Sequence, residues 1–301
     1  AASDVYKRQA VEKAKETDAE LVMASDPDAD RVGAAVKNNE GEWVLLNGNQ
    51  TALMFVYYLI TRWKELGKIN GKEYIVKTIV TTETIKTIAE RNGVEMYDVY
   101  TGFKWIANVM RENEGKKNYI GGGEESYGFL CEDFVRDKDA VSACVILAEI
   151  AAWAKDQGLS LYQLLQKIYV EYGFSKEKGI SVVKKGKSGA EEIEAMMKKF
   201  RENPLTEIAG SKVTYFYDYS TLKGKDYAEN ETVTLDMPTT SNVLQYFTED
   251  NTKVSIRPSG TEPKIKFYCE VHSKVKNIDE LPEAEKAAEE KINQIKASLG
   301  I

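Results

Sequence analysis

The sequence predicts an α/β protein whose carboxyl-terminal part changes to an α+β arrangement. Predicted helices and strands alternate over residues 49–172, which is typical of a mostly parallel sheet with helices on its faces. Over residues 212–271 the predicted strands instead follow one another, which indicates an antiparallel sheet. The chain has 301 residues, 43% of them hydrophobic, and can bury more than one core, so two or three domains are expected.

The elements before this alternation form the end of an α/β unit. Residues 10–17 have helical composition, and residues 20–25 are an apolar segment expected to be a buried strand. Two further strands, over residues 32–36 and 43–46, are expected to turn at residues 39–41.

A shift in composition divides the rest of the chain. Lysine, glycine and serine become frequent over residues 173–186, where we place a domain boundary. Before it, helices are predicted over residues 49–66, 84–92, 104–113, 140–156 and 160–172, and strands over 74–80, 94–99 and 118–121. After it, helices are predicted over residues 190–202 and 282–299, and strands over 212–219, 232–236, 243–247, 253–256 and 264–271.

Charge and composition exclude several classes of function. A net charge of -7 without a lysine-arginine block argues against a general affinity for nucleic acid or anionic membranes. The longest apolar run, residues 52–60, is too short to cross a bilayer, so a cytoplasmic protein is expected. Cys131, Cys144 and Cys269 are widely separated, which predicts buried thiols rather than disulfides or a zinc site.

Three aspartates stand at alternate positions directly after the first predicted strand. Asp26, Asp28 and Asp30, followed by Arg31, place like charges a few ångströms apart, where they repel or require a cation. Mg²⁺ prefers a few carboxylate oxygens and leaves coordination positions for substrate phosphate. The segment therefore predicts a magnesium site.

Other interpretations of this segment differ in strength. An EF-hand needs glycine at the sixth loop position and glutamate at the twelfth, but these places hold Arg31 and Lys37. A phosphatase with Asp28 as nucleophile and Asp30 as acid or base remains an alternative. An acidic surface turn around Pro27 is a second one.

A glycine-rich segment with two carboxylates follows the strand predicted at residues 118–121. Glu124 and Glu125 would repel a pyrophosphate, so this is not a dinucleotide-binding fingerprint. Carboxylates and the hydroxyl of Ser126 are instead suited to the vicinal hydroxyls of a sugar. The alternative is a flexible polar loop.

Lys138 lies just before a predicted helix, next to Asp139, which is expected to cap it. A lysine beside bound phosphate and a sugar hydroxyl could move a proton if partial burial lowered its pKa. Simple helix capping by this segment is the alternative.

A turn between two predicted strands, residues 257–264, carries the groups of an anion holder. Arg257 offers a bidentate guanidinium, Ser259 and Thr261 offer hydroxyls, and Gly260 lets backbone amides face an anion. We therefore interpret it as a phosphate cradle, with an ordinary hairpin turn as the alternative.

Taken in order, the motifs at residues 26–31, 123–128 and 257–263 resemble those of the α-D-phosphohexomutases, over nearly all of the chain from about Ala10. The resemblance implies four domains around one cleft, of which the last three are represented here. These would be a partial metal-loop α/β domain at 1–45, a complete sugar-binding α/β domain at 46–172 and a phosphate-binding α+β domain at 173–301.

The resemblance also implies roles for individual residues. Arg31 would steady a phosphoserine, Lys138 would act as general acid or base, and Lys104 would face the substrate. Some relatives have a histidine where this chain has Phe129, so proton transfer by that group is not expected. The remaining implied roles are Mg²⁺ binding by Asp26, Asp28 and Asp30, contact with sugar hydroxyls by Glu124 and Ser126, and binding of the non-reacting phosphate by Arg257, Ser259, Gly260 and Thr261.

The activity implied by the family is an intramolecular phosphotransfer between glucose 1-phosphate and glucose 6-phosphate, through a phosphoserine and a hexose bisphosphate. Phosphomannomutase and phosphopentomutase activities remain open. The family's serine lies in a Thr-Ala-Ser-His-Asn-Pro type segment, whereas the single histidine here is His272, between Val271 and Ser273. The phosphoserine domain is therefore expected to be missing, and the chain itself to be inactive or a sugar-phosphate binding fragment.

The first nine residues are a separate case. Residues 4–9 can be back-translated into the end of a transposon used to prepare sequencing libraries. We expect native sequence to begin near Ala10, and an ordinary helical start is the alternative.

Overall fold

The computed structural model describes residues 2–184, 186–260 and 262–301. The chain forms two compact units, Ala1–Tyr172 and Gly173–Ile301. The first contains a small antiparallel sheet and a mixed sheet with helices, and the second an antiparallel sheet with helices. The predicted fold class, mixed α/β followed by α+β, is confirmed. The finer division into domains at 1–45, 46–172 and 173–301 stays a prediction.

The first unit opens with helix α1 (Ala2–Glu16) and a three-stranded antiparallel sheet. Its strands are β1 (Leu21–Ser25), β2 (Val32–Lys37) and β3 (Trp43–Leu46), in the order β1-β2-β3. Ser25 pairs with Val32, so residues 26–31 close the β1–β2 hairpin. The prediction of a buried first strand was wrong, because β1 lies at the sheet edge and its side chains are half-buried or exposed.

The mixed sheet of the first unit has the strand order β5-β4-β6-β7. Its members are β4 (Glu73–Thr78), β5 (Glu95–Val99), β6 (Asn118–Gly123) and β7 (Phe129–Cys131). Strand β4 is buried throughout and pairs in parallel with β5 and β6, whereas β7 runs antiparallel to β6. The segments that follow β4, β5 and β6 therefore leave from one edge of the sheet, which is where ligands bind in α/β folds.

Helices pack around this sheet at the positions that the sequence predicts. They are α2 (Gly48–Glu65), α3 (Thr84–Arg91), α4 (Phe103–Asn113), α5 (Ala140–Asp156) and α6 (Leu161–Tyr172). Helix α2 begins with a capping box between Asn47 and Gln50, which satisfies two backbone N–H groups. A core that includes Tyr74, Ile106 and Leu130 joins α4 to β4, β6 and β7.

Among the described residues, the second unit has an eight-stranded antiparallel sheet, two α-helices, α7 (Gly186–Glu202) and α8 (Leu281–Leu299), and a short 3-10 helix, Ile278–Glu280. The strand order is β12-β11-β10-β13-β14-β15-β8, and β9 pairs with β10. The strands are β8 (Phe174–Val183), β9 (Glu207–Ile208), β10 (Ser211–Asp218), β11 (Lys223–Asp226), β12 (Glu231–Thr234), β13 (Leu244–Thr248), β14 (Lys253–Pro258) and β15 (Lys264–Ser273).

Four strands were missed by the sequence analysis: β7, β8, β9 and β11. The largest omission is β8, which pairs with β15 along its whole length in the segment that was interpreted only as a boundary.

Two further expectations concern membranes and cysteines. Within the ranges described, no helix combines the length and apolar content needed to cross a bilayer. Cys131 and Cys269 are buried free thiols, and Cys144 is a half-buried free thiol.

Candidate functional site

The acidic loop at residues 26–31 is a tight, internally bonded turn. Asp26 Oδ1 accepts hydrogen bonds from the backbone N–H groups of Asp30 and Arg31, at 3.1 and 3.0 Å. Ala29 adopts a left-handed backbone conformation with φ of 55°, and its N–H donates to the Asp26 carbonyl. The loop therefore holds its aspartates in place before any ligand is considered.

The three aspartates converge as the sequence predicts. One carboxylate oxygen from each of Asp26, Asp28 and Asp30 lies within 4.8 Å of the others. Two oxygens on opposite sides of one Mg²⁺ are about 4.2 Å apart, since Mg–O bonds are about 2.1 Å long. The three carboxylate oxygens are therefore at most slightly farther apart than two ligands on opposite sides of one bound Mg²⁺.

A second observation fits a cation at this loop. Asp30 Oδ1 is buried and has no hydrogen-bond donor within the described part of the chain, and Arg31 Nε lies 3.8 Å from it. A buried carboxylate oxygen without a donor is costly unless a cation or water completes it. The oxygen donors and their geometry thus suit a hard divalent ion.

The groups around the acidic loop also set the ionisation state of Asp26. Burial acts to raise the pKa of Asp26, but hydrogen bonds from Arg31 and Asp30 outweigh it and hold the pKa below its ordinary value. The Arg31 guanidinium, 3.3 Å from Asp26 Oδ2, contributes to the same effect. Asp26 therefore stays an anion at neutral pH.

Lys138 lies beside the aspartates of the acidic loop. Its Nζ lies 2.6 Å from Asp30 Oδ2 and 3.2 Å from Asp137 Oδ1, and the side chain is only 12% exposed. Partial burial acts to lower the pKa of Lys138, but the two aspartates outweigh it and raise the pKa. The expectation that burial would lower this pKa is not met in this structure, and Lys138 is a protonated cation.

The start of α5 fixes Lys138 against the loop. Asp139 caps the helix, since its carboxylate accepts from the N–H groups of Val141 and Ser142. The N–H of Ala140 donates to the Ala29 carbonyl at 3.0 Å. The predicted cap is present, and it anchors the lysine beside Asp30.

The glycines before the candidate sugar loop, residues 124–128, are not part of a flexible loop. Gly121, Gly122 and Gly123 form the buried end of β6. A Cβ on Gly122 would lie 2.5 Å from the Val76 carbonyl oxygen, so the strands can approach this closely only without a side chain. The exposed part of the motif is confined to the turn at residues 124–128.

Within that turn the two predicted sugar contacts differ. Glu124 is 6% exposed, and its Oε1 accepts a 2.7 Å hydrogen bond from the N–H of Gly102. Ser126 is exposed. Lys104, also exposed, lies in the first turn of α4, two residues beyond Gly102, with Nζ 5.0 Å from the Trp105 ring. The Glu124–Gly102 bond thus brings the start of α4 to the sugar loop.

The sugar loop and the acidic loop join along a short seam. Arg31 and Gly128 form an antiparallel bridge, and the N–H of Val32 donates to the Tyr127 carbonyl at 3.2 Å. A Cβ on Gly128 would lie 2.4 Å from Lys138 Cδ. The structure therefore brings the aspartates, Arg31, Lys138 and the sugar loop together within the first unit.

The candidate phosphate cradle lies in the second unit, between β14 and β15. Arg257 and Ser259 are half-buried and Gly260 is exposed, and among the described residues a Cβ on Gly260 would meet no atom within 4 Å beyond its chain neighbours. Ser259 donates its N–H to the Lys264 carbonyl at 2.8 Å, and its Oγ accepts from the Glu262 N–H at 3.3 Å. Thr261 lies outside the described residues.

This turn forms one wall of a depression of about 500 Å³ whose other wall is α7. The turn contributes Pro258, Ser259, Glu262 and Pro263, and the helix contributes both charged and apolar side chains. Of the predicted phosphate-binding residues that the structure describes, Ser259 lines this space, and Arg257 and Gly260 do not.

Sequence reasoning missed the partners of two charged groups near the sugar loop, one buried and one half-buried. Lys77 on β4 is 1% exposed and pairs with Asp98 at 2.6 Å and Glu83 at 3.0 Å. Glu125 turns its carboxylate towards Thr78 and Thr81. A lysine inside an otherwise apolar strand was the available signal for the first. The second had no local signal, because its partners come from a distant turn.

Comparison with known proteins agrees with this architecture of a mixed α/β unit followed by an antiparallel unit. Residues 47–172 match the family description "Phosphoglucomutase/phosphomannomutase, alpha/beta/alpha domain III", and residues 182–288 match "Phosphoglucomutase/phosphomannomutase, C-terminal domain". The chain belongs to the phosphoglucomutase/phosphomannomutase family of phosphohexomutases.

Curated relatives carry the same family name. A phosphoglucomutase of Staphylococcus aureus is 38% identical over 273 residues, which is 91% of this chain and 48% of that protein. A phosphoglucomutase of Staphylococcus haemolyticus is 33% identical over 263 residues, 87% of this chain and 47% of that protein. The chain thus spans about half the length of the curated relatives it matches.

Solved structures show the same fold at lower identity. A phosphoglucomutase/phosphomannomutase family protein from Burkholderia thailandensis superimposes with a TM-score of 0.58 at 18% identity, covering 96% of this chain and 48% of that one. A putative phosphomannomutase from Thermus thermophilus gives 0.55 at 20% identity, covering 89% and 46%. These similarities concern the fold alone.

Proposed function

We propose that the protein containing this chain interconverts glucose 1-phosphate and glucose 6-phosphate through a phosphoserine and a hexose bisphosphate. The main support for this proposal is the seam in the first unit, where Lys138 lies 2.6 Å from Asp30 and Arg31 forms a β-bridge with Gly128. This seam supports the proposal because it brings the three aspartates, Lys138 and the turn at residues 124–128 side by side. The names of the staphylococcal relatives favour glucose over mannose or pentose phosphates.

In this proposal Asp26, Asp28 and Asp30 hold Mg²⁺, which when bound neutralises charge on the oxygens of the transferring phosphoryl group. Arg31 is exposed and points a guanidinium at the same region, so it steadies the phosphoryl oxygens. Lys138 holds a proton on Nζ close to this group and delivers it to the departing oxygen, and the amine left on Lys138 then takes up the proton released by the attacking hydroxyl. Its raised pKa keeps Nζ protonated before the substrate binds.

The sugar is held by the segments that meet at Glu124. Ser126 offers an exposed hydroxyl, and Lys104 offers an ammonium group on the neighbouring helix turn. Glu124 already accepts one hydrogen bond through Oε1 and keeps a second carboxylate oxygen for a sugar hydroxyl.

The turn of the second unit holds the phosphate that is not reacting. Arg257 supplies a bidentate guanidinium, Ser259 a hydroxyl and Gly260 an open approach to the backbone, with Thr261 proposed as a further hydroxyl. Because the bisphosphate presents either end in turn, one holder of this kind serves both half-reactions. The serine nucleophile is proposed to lie outside these 301 residues, whose single histidine is His272.

The test has two parts. The intact gene product, supplied with Mg²⁺ and glucose 1-phosphate, should form glucose 6-phosphate, and mannose 1-phosphate and ribose 1-phosphate should react more slowly. The 301-residue chain should bind glucose 1-phosphate in calorimetry without turnover. Binding of inorganic phosphate but of no sugar phosphate would contradict the sugar-loop assignment.

The phosphatase alternative makes a different prediction for the intact protein. With Asp28 as nucleophile, brief incubation with a radiolabelled sugar phosphate would label an aspartate, and the label would be lost in hydroxylamine. The mutase proposal expects acid-stable, hydroxylamine-resistant label on serine. Family membership gives the phosphatase interpretation no support.

A further inference from the structure

The side chain of Glu125 points away from the exposed part of the sugar loop, into the sheet edge below it. Its Oε2 accepts hydrogen bonds from Thr78 Oγ1 at 3.2 Å and from Thr81 Oγ1 at 3.5 Å. Both threonines are fully buried, and their hydroxyls lie 2.8 Å from each other. The carboxylate is therefore embedded in a small polar cluster at the turn that follows β4.

The backbone of Glu125 is confined as closely as its side chain. A Cβ on Gly48, the first residue of α2, would lie 2.0 Å from the Glu125 carbonyl oxygen and 2.7 Å from the Tyr127 nitrogen. Only glycine allows the start of α2 to approach the loop this closely. The loop is thus pressed against α2 on one side and tied to Thr78 and Thr81 on another.

The two neighbouring glutamates therefore act on different partners. Glu124 binds the N–H of Gly102 at the start of α4, and Glu125 binds the turn after β4. Since the Glu125 carbonyl shares a peptide plane with the Ser126 N–H, holding Glu125 in place restricts the backbone from which the Glu124 and Ser126 side chains project.

We propose that Glu125 is a positioning residue, which orients Glu124 and Ser126 for the sugar by hydrogen-bonding Thr78 and Thr81 rather than by touching the substrate. The inference rests on the proposed function for its sugar, but its structural part stands on these contacts alone. The proposed role depends on the length of the Glu125 side chain, which allows the contacts with Thr78 and Thr81, and not on its charge.

Two substitutions separate the effect of side-chain length at position 125 from the effect of its charge. Glu125→Gln keeps the length of the side chain and one oxygen acceptor for the threonine hydroxyls, but removes the charge. Glu125→Asp keeps the charge and shortens the side chain by about 1.5 Å, one carbon–carbon bond, so the contacts at 3.2 and 3.5 Å are lost. Glu90→Gln, on the exposed face of α3, is the matched control.

The first readout is hydrogen exchange of the 301-residue chain, which needs no ligand. The N–H groups of Val32, Gly102 and Glu124 are bonded to loop residues and report its position. Their exchange should accelerate about ten-fold or more in Glu125→Asp and stay near the parent rate in Glu125→Gln and Glu90→Gln. Unchanged exchange in Glu125→Asp overturns the proposal.

The second readout is calorimetric affinity for glucose 1-phosphate, with inorganic phosphate as the comparison ligand. Positioning predicts a loss of about ten-fold for Glu125→Asp, near-parent affinity for Glu125→Gln and unchanged inorganic phosphate binding in both. The reverse order, with Glu125→Gln the weaker binder, shows a direct electrostatic role and overturns the proposal. Absence of glucose 1-phosphate binding by the parent chain refutes the proposed function, and the exchange experiment still decides the role of Glu125.

Discussion

The sugar loop of the first unit and the phosphate turn of the second are built in different ways. The sugar loop is pressed against α2, bonded to buried threonines and bridged to the acidic loop, so its shape is set by the fold. The candidate phosphate cradle is a hairpin connection held by bonds within it and by one from the Lys184 N–H to the Pro263 carbonyl, with open space beside Gly260. Recognition of a ring with directed hydroxyls needs fixed acceptors, whereas a phosphate can be held by charge at a more adaptable turn.

The largest expected effect tests how closely the first unit is packed. Gly122→Ala would place a Cβ 2.5 Å from the Val76 carbonyl and 2.7 Å from the Tyr119 hydroxyl, so the free energy of unfolding should fall by about 3 kcal/mol. All 4 tryptophans of the chain lie in the first unit, so urea unfolding followed by their fluorescence measures this loss.

The matched control is Gly33→Ala in β2. The nearest atom to the new Cβ, the Ala24 carbonyl oxygen, would lie 3.9 Å away, an ordinary contact, so the change should stay within about 0.5 kcal/mol. Equal losses in both variants would show that the close packing of β6 does not set the shape of the loop that follows it.

Arg257→Ala tests whether the turn of the second unit binds phosphate through a positive charge. Removing a bidentate guanidinium should weaken glucose 1-phosphate binding about 10- to 100-fold, since hydrogen bonds to charged groups contribute about 1.5–3 kcal/mol. Lys286→Ala, an exposed charge on α8, is the control and should bind like the parent chain. Calorimetric titration of the two variants measures both affinities. Similar affinities would show that this turn does not bind the substrate phosphate.

Asp28→Asn addresses the acidic loop. Asp28 is exposed and is the least constrained of the three aspartates, so its loss should weaken divalent-ion binding about ten-fold without changing the fold. Mn²⁺ titration followed by electron paramagnetic resonance measures the affinity, with Asp156→Asn at the end of α5 as the control. If the two variants bound Mn²⁺ equally well, the cation site would have to lie elsewhere.

The smallest effect concerns the opposite edge of the mixed sheet. Glu73 is buried and accepts from the N–H groups of residues 70–72 and from Asn118, and although burial acts to raise its pKa, these bonds lower it below the ordinary 4.5. Its stabilising contribution is therefore present above about pH 4.5 and is lost as pH falls through the folded-state pKa.

Glu73→Gln should cost about 1 kcal/mol at pH 7 and make the unfolding free energy less dependent on pH below 4.5. Urea unfolding of parent and variant between pH 7 and pH 3 measures both effects. A variant with the parent's full acid dependence would assign that dependence to other carboxylates.

Much of this fold follows from the sequence, and the failures have physical reasons. The helices and most strands were placed correctly because their apolar residues have clear periodicity. Strand β8 was missed because it lies at the sheet edge, where half-exposed positions accept lysine and glutamate, and β11, Lys-Gly-Lys-Asp, has the same charged character. Strand β7 is only three residues long, below the length at which alternation is visible.

The site was less predictable than the fold. The convergence of Asp26, Asp28 and Asp30 follows from alternate spacing after a strand, and the cap at Asp139 follows from its place before a helix. That Glu125 binds Thr78 and Thr81 could not be predicted, because it depends on a strand pairing that brings residues 47 positions apart into contact. Periodicity and spacing are local signals, and such a contact is not.

The pairing of Asp30 with Lys138 has a consequence for how the protein is made. Synthesis runs from the amino end, so the acidic hairpin leaves the ribosome well before the segment that carries its counter-charge. Until α5 emerges and docks, the three carboxylates repel one another with only Arg31 of the same loop to offset their charge. The acidic loop is thus expected to settle only after most of the first unit has been translated, and a nascent chain stalled before Lys138 should keep this hairpin open to proteases.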